Sequence, residues 1–86
     1  MYKVKMTELA TKQYLKLDKP IRNQITKFID KLENIDNPRS RGKPLVSNLS
    51  GLWRYRVGDY RLICSIEDDK ILITVLRLGH RRENYD

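Results

Sequence analysis

Tyr2-Lys3-Val4-Lys5-Met6 alternates apolar and polar side chains without a break, the period of a strand with one buried face. Thr7 suits an N-cap with Glu8 in the turn that follows, and Leu9, Ala10, Tyr14 and Leu17 predict a short helix ending near Asp18. Asp18 can cap a second helix with Pro20 in its first turn. Ile21, Ile25, Phe28, Ile29, Leu32 and Ile35 then recur at steps of three and four, the strongest periodicity in the chain. It stops where Asn37 precedes Pro38, because the residue before a proline is pushed out of helical angles. The polar segment 39–44 reads as a connection.

The second half changes period. Segments 52–57 and 60–66 flank Gly58-Asp59, a dipeptide that favours a tight hairpin, with glycine first as a type II′ turn prefers. A polar stretch, 67–70, precedes 71–78, which is rich in β-branched residues. The three strands form an antiparallel meander, and the element order is β-α-α-β-β-β. Two N-terminal helices packed on one face of a small, mostly antiparallel sheet make an α+β fold. No internal repeat or low-complexity segment breaks the pattern, so 1–86 is read as a single domain.

Composition narrows the class. With 86 residues, 40% of them apolar, the chain suffices for one core, burying about 60–65% of its unfolded surface. Cys64 is the sole cysteine, which excludes an intramolecular disulfide, and no Cys/His spacing suits a structural zinc. The longest apolar stretch, 71–76, contains Thr74 and falls far short of the roughly 20 residues that span a bilayer. With no signal-peptide pattern at the N-terminus, a soluble, cytoplasmic protein with no membrane partner is expected. Eighteen Lys and Arg against eleven Asp and Glu give a net charge of +7. The isoelectric point near 9.8 lies above the level of about 9 that suggests a nucleic-acid binder.

Charge placement sharpens this. If Val57 pairs with Tyr60 across the turn, Arg56 lies opposite Arg61 and Arg54 shares their face, while Tyr55, Val57, Tyr60, Leu62, Cys64 and Ile66 form the core face. By the same parity Trp53 faces away from Arg54, as core or as a partner contact, and Cys64 is packing. Continuing the meander brings the tail Gly79-His80-Arg81-Arg82-Glu83-Asn84-Tyr85 out beside the patch. Clustered arginines with a nearby histidine and tyrosine suit a phosphodiester, since guanidinium forks hold phosphate oxygens bidentately and aromatic rings stack on unpaired bases. RNA is the better substrate. Its 2′-hydroxyl can attack its own phosphate without a metal, and the chain lacks a compact carboxylate group for two metal ions, Asp68 and Asp69 lying in a loop away from the patch.

At Leu52-Trp53-Arg54-Tyr55-Arg56-Val57, Asp59-Tyr60-Arg61-Leu62-Ile63 and Leu78-Gly79-His80-Arg81-Arg82-Glu83-Asn84-Tyr85, the chain resembles the RelE family of toxins of bacterial and archaeal toxin-antitoxin pairs. The resemblance covers nearly the whole chain. It implies a ribosome-dependent, cofactor-free endoribonuclease that cuts messenger RNA in the decoding site and is neutralised by a cognate antitoxin. The antitoxin is expected to be acidic and RelB-like, and homo-oligomeric state is open. Position by position, Arg54 and Arg56 correspond to basic residues of a family strand and Arg61 to the phosphate-binding arginine. Arg81 corresponds to the arginine of the C-terminal motif, beside Arg82, and Tyr85 to the terminal tyrosine. RelE itself carries lysines where this chain has Arg54 and Arg56, and a guanidinium with a pKa above about 12 is a poor general base. The proton acceptor is then His80 or Tyr85, with Arg61 and Arg81 stabilising charge on the phosphate. Two other readings use the same fold or patch: a ParE-like poison of DNA gyrase, and a non-catalytic RNA-binding module.

Overall fold

The computed structural model describes residues 1–80. Strand β1 (Lys3–Met6) leads into α1 (Glu8–Leu15) and α2 (Lys19–Glu33), followed by β2 (Lys43–Pro44), β3 (Trp53–Val57), β4 (Tyr60–Glu67) and β5 (Leu72–His80). The five strands make one sheet in the order β1-β5-β4-β3-β2. Every pairing is antiparallel except that of β1 with β5. The predicted α+β architecture stands, with β2 added at the edge.

Local chemistry explains the helices. Thr7 Oγ1 accepts from Ala10 N at 3.1 Å and donates to Leu76 O at 2.7 Å, so the N-cap of α1 is pinned to β5. Helix α1 stops at Leu15, short of the predicted end near Asp18, and Leu9 lies half in solvent. Asp18 takes the extended conformation of an N-cap, and its carbonyl accepts from Arg22 N at 3.0 Å while Pro20 occupies the first turn of α2. Ile25 and Leu32 are the fully buried positions of the long apolar stripe.

The hairpin forms in the expected register, Val57 opposite Tyr60. Gly58 has φ 58°, and the non-glycine residues at positive φ among those described are Ser47 and Ile71, so Asp59 keeps the negative φ of a type II′ turn. The β-branched run predicts a last strand from Ile71. The φ of 51° at Ile71 instead closes the β4–β5 turn, and β5 begins at Leu72. The core joins Ala10, Ile25 and Leu32 to Tyr55, Leu62, Cys64, Ile73, Val75 and Leu78. Burial pushes the Cys64 thiol up to about 12, as expected of an inert packing residue.

One polar cluster ties the loop after α2 to the far end of the sheet. Asp68 accepts from Arg39 Nη1 at 2.9 Å and from the Tyr2 hydroxyl. The Arg39 guanidinium also lies 6.0 Å from the Trp53 ring centre, and Trp53 Nε1 donates to Arg41 O at 2.7 Å. The hydrogen bond from Arg39, then that from Tyr2, holds the Asp68 carboxyl below the usual carboxylate range. A group with a depressed folded pKa contributes fully above its unfolded value, near 3.9 for Asp, and loses that contribution as pH falls through the folded value. Asp68→Asn is therefore expected to melt below wild type at pH 7, with the gap closing in acid. Thermal unfolding followed by circular dichroism across pH checks it, and a gap that stays constant to the acid end would refute the linkage.

Candidate nucleic-acid interface

Pairing across the sheet, rather than proximity in sequence, assembles the basic face. The residues flanking a two-residue hairpin form a hydrogen-bonded pair, so the next pair, Arg56 opposite Arg61, is a non-hydrogen-bonded one, in which side chains stand closest. Like charges directly opposite cost up to about 1 kcal/mol, so the fold carries this pair at some expense. Arg54 pairs with Ile63, and Ile63 pairs with Arg77 on the other side. Paired residues share a face, so Arg54, Arg56, Arg61 and Arg77 all stand on the side of the sheet opposite the core. Lys43, paired with Arg54, extends the row onto β2.

Ile63 sits in the middle of these cations. It is 1% exposed yet lies outside the cluster around Leu62 and Cys64. Arginine stems flank it on both neighbouring strands and can cover it while their guanidinium groups reach solvent. The sequence patch of Arg54, Arg56 and Arg61 omits Arg77. A signal for it exists: carrying the alternation of β5 back from Gly79, which pairs with Arg61, places Arg77 on the arginine face. The register shifts only beyond it, between Ile63 and Cys64.

His80 is placed differently. It pairs with Tyr60, a residue of core-face parity, and its ring meets the Tyr60 ring edge-on with centroids 5.4 Å apart. It lines a cavity of about 410 Å³ with Leu9, Gln13 and Leu17, against which the end of β5 rests as Leu78 N donates to Gln13 Oε1 at 2.8 Å. The structure thus brings together Arg54, Arg56 and Arg61 and sets His80 on the helix side of the same sheet end. Arg81, Arg82 and Tyr85 lie outside the described residues.

Several acidic side chains among the described residues are held away from this face. Glu8 pairs with Lys12, Asp68 with Arg39 and Glu67 with Lys70, and Glu33 accepts from Val4 N at 2.9 Å. No group of three or more potential metal-ligating residues occurs among the described residues. No helix among them is long and apolar enough to cross a membrane. What the face offers chemically is a set of fixed positive charges on a rigid sheet, suited to holding a polyanion and to balancing negative charge that grows on a phosphate.

Comparison with known proteins bears on this geometry. The family described as "ParE toxin of type II toxin-antitoxin system, parDE" matches residues 4–85. Toxin RelG of Mycobacterium tuberculosis is 33% identical over 85 residues, covering 98% of this chain and 95% of the relative. Toxin RelE of the same organism is 30% identical over 84 residues, covering 98% and 86%. The crystal structure of the toxin-antitoxin complex RelBE2, also from M. tuberculosis, contains a chain that superposes with a TM-score of 0.83 at 33% identity, covering 93% of this chain and 91% of that one.

Proposed function

Because the chain belongs to the RelE family, toxins of type II toxin-antitoxin systems, we propose that it is a metal-independent endoribonuclease that cuts messenger RNA on the ribosome in the cytoplasm and is silenced by an acidic, RelB-like antitoxin. The observation that carries this reading is the convergence of Arg54, Arg56 and Arg61 on one sheet face through the register of β3 and β4.

The chemistry follows from RNA's own nucleophile. The 2′-oxygen attacks the adjacent phosphorus, the P–O5′ bond breaks, and the products are a 2′,3′-cyclic phosphate and a 5′-hydroxyl end. The 2′-hydroxyl proton passes to a base and the departing 5′-oxygen gains one. Negative charge on the phosphoryl oxygens peaks between these events, where Arg61 and Arg81 stabilise it while Arg54, Arg56 and Arg82 hold flanking phosphates. His80 or Tyr85 accepts the proton, His80 only once its ring turns from Tyr60 on the helix side toward the arginine face. Partner choice follows the same charge logic, since a protein of net charge +7 attracts an acidic antitoxin at long range and more weakly in salt. The RelBE2 complex is one solved structure of a relative paired with an antitoxin.

Primer extension on a reporter message in a purified translation system tests the reading. New 5′ ends that need both toxin and ribosomes are expected. His80→Ala and Tyr85→Phe divide the proton transfer, and the variant that lowers cleavage while still binding ribosomes marks the base. If both cleave at the wild-type rate, neither residue is the base. Growth arrest with intact message would point instead to a gyrase poison, and RNA binding without new ends to a simple binding module.

A further inference from the structure

A second basic surface lies around the edge of the sheet from the arginine face. On α2, Gln24, Lys27, Phe28 and Lys31 stand at positions i, i+3, i+4 and i+7, one stripe of the helix. Across from them, Arg56, Val57 and Gly58 close a cavity of about 300 Å³. A second cavity of about 380 Å³ continues from it, sharing Phe28 and Arg56 and ending at Arg41, Gly42 and Lys43. Together they form a trough between α2 and β3, beside the part of β3 that β2 leaves uncovered, since β2 pairs only with Trp53 and Arg54.

Three features of this trough point to a ligand. Lys27, Lys31, Arg41, Lys43 and Arg56 line it beside Arg54, no acidic residue among those described does, and none of the first five has a carboxylate partner among the described residues. Its floor carries the half-buried Phe28 ring, held at 5.4 Å from the Tyr55 ring and so fixed in orientation. Its wall includes Arg56, which also stands opposite Arg61 on the arginine face.

We propose that this trough is a second RNA-holding site. It takes the single-stranded segment next to the one on the arginine face, with phosphates against Lys27, Lys31 and Arg56 and an unpaired base against Phe28. The inference rests on the ribonuclease reading and adds a site to it. Repeated negative charge meets the unneutralised cations, and a base has the flat surface that an aromatic ring accepts regardless of sequence. An acidic peptide would use the cations but bring no ring to the floor. Arg56, shared by trough and face, makes the two surfaces one path around the β3 edge.

Binding of 2′-O-methyl RNA, which has no 2′-hydroxyl to attack, separates the two sites. The double variant Lys27→Gln, Lys31→Gln keeps good helix formers at exposed positions, so the fold is retained. It is expected to bind a 12-nucleotide strand about tenfold more weakly than wild type at low salt, and a 3-nucleotide strand equally well. The slope of log affinity against log salt for the longer strand should fall by about 1.4, some 0.7 for each phosphate left without its lysine. Phe28→Leu, which preserves packing, is expected to weaken the longer strand without changing that slope. Equal binding of the longer strand by wild type and the double variant overturns the trough while leaving the ribonuclease reading intact. Loss of a poly-glutamate peptide but not of RNA overturns it in favour of a protein-docking surface. Failure of wild type to bind either strand overturns the trough, while the ribonuclease reading stands or falls on the primer extension with ribosomes.

Discussion

Arg61→Ala is expected to lower message cleavage on the ribosome by about 100- to 1,000-fold, the usual cost of removing one group that stabilises transition-state charge. The position explains the size. Arg61 faces Arg56 directly, has Arg54 and Arg77 diagonally on either side, and lies across from Gly79, the last residue before His80 and the tail. It is thus the centre of the basic face, and a phosphate placed there meets several guanidinium groups at once. Truncation to alanine also strips an aliphatic stem from beside Ile63, so a loss of fold could imitate a loss of chemistry. Arg61→Met keeps most of the stem and removes only the charge. It is expected to melt close to wild type and cleave as poorly as Arg61→Ala. If Arg61→Met yields new 5′ ends at the wild-type rate, Arg61 does not stabilise the reacting phosphate.

The largest stability effect is expected at Tyr55. Its side chain is fully buried, its ring packs at 58° against Phe28, and its hydroxyl donates to Pro38 O at 2.8 Å. Burial raises the pKa of that hydroxyl well above its ordinary value, so it stays a neutral donor at any physiological pH. Tyr55→Ala leaves a cavity and an orphaned carbonyl and is expected to cost about 3–5 kcal/mol, a large share of the roughly 4–13 kcal/mol typical of a domain this size. Tyr55→Phe keeps the ring and removes only the donor, at about 1–3 kcal/mol. Urea denaturation of both variants separates the two contributions. Equal midpoints for wild type and Tyr55→Phe would mean that the Pro38 carbonyl finds another donor.

Features specified by local chemistry are readable from the sequence. The α2 stripe, the Gly58-Asp59 turn and the pairing of Arg56 with Arg61 each depend on neighbours within a few residues or on alternation alone. Features set by distant partners are not. Strand β2 is only Lys43–Pro44, too short to show a period. It exists because Gly42, at φ 77°, lets the chain pass so close to β3 that a Cβ there would come within 2.3 Å of Arg54 O. The exposure of Leu9 likewise reflects which side of α1 packs on β5, set by a strand distant in sequence. For the site, the charges are visible in the sequence and their common face follows from parity. The trough is not, because the α2 cations and Arg56 meet only once helix and strand are packed.

The parallel pairing of β1 with β5 has a consequence for how the molecule comes into being. Lys3 lies beside Leu72, and Met6 beside Val75, so β1 waits for a strand that is made much later than itself. Contacts of such long sequence separation are slow to close. The β1 segment, the Thr7 cap that bonds to Leu76 and the seat of α1 on β5 all stay unsatisfied until then. A nascent chain on its own ribosome therefore lacks the strand that completes the arginine face. On the ribonuclease reading, a chain that has not yet made β5 presents no complete site.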